Sequence, residues 1–85
     1  SMRKVLATDL DGTFLEGNAQ MRAAVYRTFA ELKNEFPLIY TTGRGLSAVR
    51  QLIDAYDLPE PIAILADHGT QIVEGRSFKE ISALQ

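Results

Sequence analysis

Three short apolar runs, Val5-Leu6-Ala7, Leu38-Ile39-Tyr40 and Ile62-Ala63-Ile64-Leu65, are separated by segments long enough for a helix. Runs this short and this apolar suit strands of a parallel sheet, and parallel strands need a long crossover between them, usually helical. Lys4 to Leu10 reads as the first strand, apolar enough to be buried on both faces. Asn18 is the expected N-cap of a helix running to about Glu35, with Met21, Val25, Phe29, Leu32 and then Phe36 forming one stripe. Phe36-Pro37 stops that helix, and Leu38 to Thr42 is a second strand. A second helix is expected from Leu46 to Tyr56, with Leu46, Val49, Leu52, Ile53 and Tyr56 on one face, until Leu58-Pro59-Glu60-Pro61 breaks it. Ile62 to Ala66 is a third strand and Asp67-His68-Gly69 the turn after it. From Thr70 the pattern changes: Gln71-Ile72-Val73, Glu74-Gly75 and Arg76 to Ile81 read as a β-hairpin.

The fold class is therefore α/β: a partial Rossmann-like core of three parallel strands with two helices, followed by a β-hairpin, in a single domain over residues 1–85. Crossovers between parallel strands are right-handed, which sets strands one, two and three side by side. Ligands of open α/β sheets bind beyond the carboxyl ends of the strands. Asp9, Asp11, Thr42 and Asp67 all fall at that edge.

Asp9-Leu10-Asp11-Gly12-Thr13 carries the most chemistry. If the strand runs from Val5 to Asp11, its period of two puts both carboxylates on one side. Like charges that close require a divalent cation, a shared proton, or both. Gly12 allows a sharp turn that brings backbone N–H groups near whatever lies between the acids. Such a group suits phosphoryl transfer, with one Asp attacking phosphorus, the other handling a proton and a metal offsetting charge. The plainer reading is a solvated acidic turn at the end of a strand.

Composition narrows the partners. Formal net charge is −2, so there is no basic footprint for nucleic acid and no polybasic membrane anchor. No apolar run approaches the roughly 18 residues of a membrane span. The chain has no cysteine, which removes disulfides and thiolate metal sites and fits a cytoplasmic location. Ser1 ahead of Met2 reads as an addition before a native start.

The motifs, taken in order, resemble the haloacid dehalogenase-like phosphohydrolase superfamily. Asp9-Leu10-Asp11-Gly12-Thr13 is followed by Thr41-Thr42-Gly43-Arg44 after the second strand, and by Gly69-Thr70-Gln71-Ile72 after the third. The last two are similar to the Cof-type and sucrose-phosphate-phosphatase-like branch. The resemblance implies that Asp9 is the nucleophile forming an aspartyl-phosphate. It implies that Asp11 is general acid and then base, with a pKa above that of a free Asp, to which proximity of Asp9 contributes. Gly12, Thr13, Thr42 and Gly43 would form the phosphate site. Asp9 and Asp11, the latter through its backbone carbonyl, would hold Mg²⁺, and Arg44 is a candidate substrate contact. The implied partner is a small-molecule phosphate ester such as a sugar phosphate.

The chain also departs from that pattern. The family needs a later lysine and a second acidic cluster, commonly Gly-Asp-x-x-Asn-Asp; Lys79 is the sole lysine after the second helix, and it lies in the expected hairpin. Asp67-His68-Gly69 stands where the branch has Asn-Gly. The expectation is an N-terminal fragment of a phosphatase core, without its cap and its C-terminal half, with negligible turnover alone. Removing one charged stabiliser of a phosphoryl transition state costs on the order of 10²–10³ in rate. Strand one, central in the parent sheet, would expose an unpaired apolar edge and drive self-association.

Rival readings stand beside this one. Gly43-Arg44-Gly45-Leu46-Ser47-Ala48 is a Gly-x-Gly-x-x-Ala between strand and helix, and Asp67 ends the next strand where a ribose-binding acid would sit. That describes a dinucleotide-binding Rossmann module, but leaves Asp9-x-Asp11 unexplained. Others are a non-catalytic oligomerising fragment and, within the family, a phosphomutase. Among smaller features, His68 reads as a surface or hydrogen-bonded turn residue, and Arg44 as the partner of either a phosphate or a nearby acid. Phe29, Phe36 and Tyr56 read as core, while Arg22, Tyr26 and Arg27 read as a solvated face. Phe14-Leu15 is expected to lie exposed over the site.

Overall fold

The structure is a computed structural model that describes residues 4–81 and, at Thr13, the backbone alone. Its elements are β1 (Leu6–Asp9), a π-helical turn (Leu10–Phe14), α1 (Ala19–Leu32), β2 (Leu38–Thr41), α2 (Leu46–Tyr56), β3 (Ala63–Ala66) and β4 (Gln71–Glu74). They build one sheet in the order β1-β2-β3-β4. The β1–β2 and β2–β3 pairs are parallel and β3–β4 is antiparallel. The α/β topology read from the sequence is thus the one observed.

Both crossovers step across the sheet in the same direction, so right-handed connections leave α1 and α2 on one face. Burial follows. Leu38 and Tyr40 of β2 are buried while Ile39 and Thr41 between them are half-exposed. On β1, Leu6 and Thr8 are half-buried and Ala7 and Asp9 exposed. The first strand is therefore not buried on both faces as expected, because among the described residues the helices cover only one. The core under them joins Leu10, Phe14, Leu38, Tyr40, Val49, Leu58, Ile64, Ala66 and Val73. All five apolar residues expected on one face of α2 belong to this core or pack against it.

Helix α1 starts where the sequence indicated: the Asn18 carboxamide oxygen accepts from the Met21 N–H at 2.9 Å. It ends at Leu32, short of Glu35, because the N–H groups of Asn34 and Glu35 bond three residues back and tighten the last turn. Its inward face is also rotated from the expected stripe. Val25, Tyr26 and Phe29 pack on the core, whereas Met21 is 58% exposed. Tyr26 turns inward because its hydroxyl donates to the Phe14 carbonyl at 2.7 Å. The solvated face assigned to Tyr26 is corrected accordingly.

Phe14 is the larger correction. It is wholly buried and lies 5.6, 4.9 and 5.2 Å, between ring centroids, from Tyr26, Phe29 and Tyr40. A π-helical turn makes this possible: it compresses Leu10–Phe14 so that Leu10 and Phe14 both reach the core.

At the other end, β3 returns into β4 through Asp67–Thr70, with φ of 51°, 54° and 85° at Asp67, His68 and Gly69. The segment after β4 folds back, joined by a Val73–Glu80 bridge and by Glu74 N–H to the Lys79 carbonyl at 2.8 Å. Gly75 permits this close return; a Cβ there would stand 1.9 Å from the Pro61 carbonyl oxygen. Tyr40 fixes the α2–β3 connection by donating its hydroxyl to the Pro59 carbonyl. Burial raises its phenol pKa well above the usual value. Among the described residues no helix is long and apolar enough to cross a membrane.

The position of Phe14 yields a direct expectation. Phe14→Ala should lower unfolding stability by about 3 kcal/mol or more, as for a large aromatic removed from a core. Urea denaturation of the two proteins checks this; a residue merely lying over the site would give almost no change.

Candidate active site

The carboxyl ends of β1 and β2 and the β3–β4 turn surround a cleft of about 460 Å³ lined by Asp9, Thr41, Thr42, Gly43, Leu65, His68 and Gly69. Asp9 is the last residue of β1. Asp11 is not on the strand: it sits one residue into the π-helical turn, so the period-two argument that paired the acids does not hold. They approach the same region by a different route, since the turn folds Gly12 back on Asp9. A Cβ on Gly12 would lie 3.4 Å from the Asp9 carboxylate.

The Asp11 carboxylate is fully engaged by the loop that leaves β2. Arg44 donates its Nε–H to Oδ1 at 2.8 Å, and its Nη2 lies 2.7 Å from the same oxygen as an ion pair. Thr42 donates its hydroxyl to Oδ2 at 3.3 Å and accepts the Arg44 backbone N–H at 3.1 Å. Thr42 is 5% exposed, which fixes the hydroxyl that bridges the two loops. The hydrogen bonds from Arg44 hold the Asp11 carboxyl below the ordinary carboxylate range, against a smaller opposing effect of burial. The expected upward shift is thus reversed: Arg44, not Asp9, dominates the surroundings of Asp11. The same pair raises the guanidinium pKa further.

Backbone bonds lock the β2 exit to the β3–β4 turn. Thr42 N–H donates to Leu65, His68 N–H to Thr42 and Asp67 N–H to Arg44, at 3.0, 3.1 and 2.8 Å. Thr42 and Gly43 line the cleft together with Asp9 and His68. Asp67 is not among the cleft residues, whereas His68 is. The Thr13 side chain lies outside the described residues, although its backbone belongs to the π-helical turn. Sequence reasoning missed the lining positions Thr41, Leu65 and Gly69. The rule that ligands sit beyond strand ends contained them, since all three flank the ends of β2 and β3. Among the described residues no three Asp, Glu, His or Cys side chains cluster as a metal site.

The mostly parallel α/β sheet, with acids at the exit of its first strand and a buried hydroxyl at the exit of the second, agrees with the haloacid dehalogenase-like hydrolases, among which the chain falls by comparison with known proteins. More narrowly, residues 2–85 match the sucrose-6F-phosphate phosphohydrolase family, and the chain belongs to it. It is 44% identical over 81 residues to a glucosylglycerol-phosphate synthase of Pseudomonas anguilliseptica, an alignment that takes in 95% of this chain and 11% of that protein. It also resembles the sucrose-phosphatase of Synechocystis sp. PCC6803, solved in complex with sucrose and phosphate. That likeness has a TM-score of 0.72 and 29% identity, over 88% of this chain and 31% of the other. The chain thus spans less than a third of the length of either relative.

The Asp11–Arg44 pair sets a pH dependence. A carboxyl held low in the folded state stabilises it above the ordinary carboxylate pKa, and that contribution is lost as pH falls through the lowered value. Arg44→Gln should move the Asp11 carboxyl up toward its ordinary range and start its share of acid unfolding at higher pH. A ¹³C carboxyl NMR titration of both proteins reads this directly; an unchanged Asp11 midpoint would contradict the pairing.

Proposed function

We propose that this chain carries the nucleophile and acid/base half of a Mg²⁺-dependent phosphatase acting on a sugar phosphate or similar small phosphate ester. The observation that supports the reading best is the convergence of Asp9, Thr42 and Gly43 on one cleft, with Asp11 hydrogen-bonded to Thr42 at its side. The bound sucrose and phosphate of the Synechocystis relative support a sugar-phosphate substrate.

In this reading an Asp9 carboxylate oxygen attacks phosphorus, the ester P–O bond breaks, and Asp11 gives its proton to the departing alkoxide. Water then attacks phosphorus of the aspartyl-phosphate and gives a proton to Asp11, the bond between phosphorus and the Asp9 oxygen breaks, and inorganic phosphate leaves with the Asp9 carboxylate regenerated. Thr42, Gly43 and the backbone of Gly12 and Thr13 would hold the phosphoryl oxygens. For Asp11 to carry a proton, Arg44 has to release it. An incoming phosphate dianion offers the guanidinium an alternative bidentate partner, so Arg44 serves as a substrate contact. The Asp9 carboxylate and the Asp11 carbonyl are hard oxygen donors of the kind Mg²⁺ takes, with water and substrate completing its shell. When bound, Mg²⁺ offsets the negative charge shared by Asp9 and the phosphoryl group.

The lysine and second acidic cluster that the family pattern calls for do not occur in these 85 residues. Groups that act as a unit leave little when several are missing, so the chain alone turns over negligibly. Among the described residues β1 pairs only with β2, and Val5 beside it is 51% exposed. We propose that copies of the chain associate through this edge, as unpaired strands do.

Magnesium titration followed by amide NMR tests the site: shifts should centre on Asp9–Gly12 and vanish in Asp9→Asn. Shifts spread over unrelated acids, or retained in the variant, would contradict the reading. Light scattering tests the edge, with a mass above that of one chain at high concentration expected and a persistent monomer excluding it.

A further inference from the structure

We infer that Tyr26, on α1 and outside the cleft, is a positioning residue of the acidic turn, whose hydroxyl sets the backbone that carries the Asp11 carbonyl. The inference rests on the phosphatase reading and adds to it a residue that touches neither substrate nor metal. Tyr26 donates its hydroxyl to the Phe14 carbonyl at 2.7 Å. Phe14 closes the π-helical turn Leu10–Phe14, and carbonyls at the end of a helix have no partner within it. Burial raises the Tyr26 phenol pKa, so the hydroxyl stays a donor well past neutral pH.

A second side chain of α1 supports the same segment. Arg22, four positions before Tyr26 and so on the same side of the helix, donates from Nη1 to the Gly17 carbonyl at 2.6 Å. Gly17, at φ 80°, then swings the chain into the Asn18 cap, a conformation that favours glycine. The Arg22 guanidinium also lies 5.2 Å from the Tyr56 ring centre, which braces it against α2. The chain leaving the acidic turn is thus fastened to α1 at Phe14 and again at Gly17.

Asp11 and Phe14 share one five-residue turn. Burial of Leu10 and Phe14 sets where their side chains sit, not how the peptide planes between them tilt. A bond to the Phe14 carbonyl orients the last of those planes. Carbonyls within a helical turn point together, so the Asp11 carbonyl, given to Mg²⁺ under the proposed function, takes its direction from the same turn. Without the hydroxyl the turn adopts that arrangement for a smaller fraction of the time, and apparent metal affinity falls by that fraction.

The test uses the whole chain and Tyr26→Phe, which keeps the ring beside Phe14 and loses only the hydroxyl. Tyr40→Phe is the matched comparison. It also loses one hydroxyl-to-carbonyl bond, to Pro59, which precedes β3 and so lies at the opposite end of the strands from the acidic turn. Amide dispersion confirms that both variants fold. In amide NMR without metal, Asp11 and Gly12 should shift in Tyr26→Phe and stay in place in Tyr40→Phe. Magnesium titration should give a Kd raised roughly 5-fold in Tyr26→Phe, the worth of one hydrogen bond, and unchanged in Tyr40→Phe. At saturating Mg²⁺ the Asp11 and Gly12 signals of Tyr26→Phe should return to those of the unaltered chain. Equal weakening in both variants marks a general loss of stability and overturns the assignment, as does an unchanged Kd in Tyr26→Phe; either result leaves the phosphatase reading standing. If the unaltered chain shows no magnesium shifts at Asp9–Gly12, the phosphatase reading fails and the assignment with it.

Discussion

Burial of one phenylalanine holds the acidic motif in place. Phe14 is the last residue of the turn that begins immediately after Asp9, and its ring is enclosed by Tyr26, Phe29 and Tyr40. Helix α1 has no wholly buried residue of its own, so its attachment to the sheet runs largely through this aromatic group. The Tyr26 hydroxyl bond to the Phe14 carbonyl adds a polar tie at the same point. With Leu10 and Phe14 both anchored in the core, the backbone between them is constrained at both ends. Asp11 and Gly12 are therefore presented at the strand edge by packing, before any ligand arrives.

The electrostatics divide the two acids between different tasks. A pair of carboxylates this close in sequence needs a positive group, and the chain supplies one itself in Arg44. That leaves Asp9 facing the cleft while Asp11 is drawn toward the β2 loop. Both members of the ion pair are more than 40% exposed, so solvent screens it and its worth to stability is small. Its value is geometric: together with Thr42 it ties the β1 exit to the β2 exit, while two backbone bonds tie the β2 exit to the β3–β4 turn and a third ties it to Leu65 of β3. The edge of the sheet thus behaves as one connected rim.

Wherever a local rule had a single answer, the sequence was legible. The Asn18 cap, the whole of α2 and its packed face, and the order of the parallel strands follow from capping chemistry, helical period and crossover handedness. What escaped depended on contacts between distant segments. No periodicity announces a π-helical turn, so Asp11 was read onto the strand and Phe14 out to solvent. Tyr26 looked solvated beside two arginines because its partner lies 12 residues earlier, across the helix–turn junction. The reversal of the Asp11 pKa has the same origin, since Arg44 is 33 residues away and reaches it only when β2 lies beside β1. His68 was passed over as a lone turn histidine; a turn at the end of a parallel strand, followed by glycine, was the available signal.

The dinucleotide fingerprint seen in Gly43-x-Gly45-x-x-Ala48 finds a physical explanation here. Both phosphohydrolases and dinucleotide-binding folds need small residues where a strand passes into a helix, because backbone N–H groups must approach an anion closely. In this chain, however, the space above the first glycine is filled by the His68 ring, and Arg44 between the glycines is turned onto Asp11. Gly45 caps α2 in extended conformation with no side-chain cap, which leaves the first N–H groups of that helix without a competing partner from the cap residue. A pyrophosphate spanning this loop would have to displace the imidazole and break the Arg44–Asp11 bonds. The glycine spacing is therefore no mark of a dinucleotide site in this chain, because residues at neighbouring strand ends already occupy the space around it.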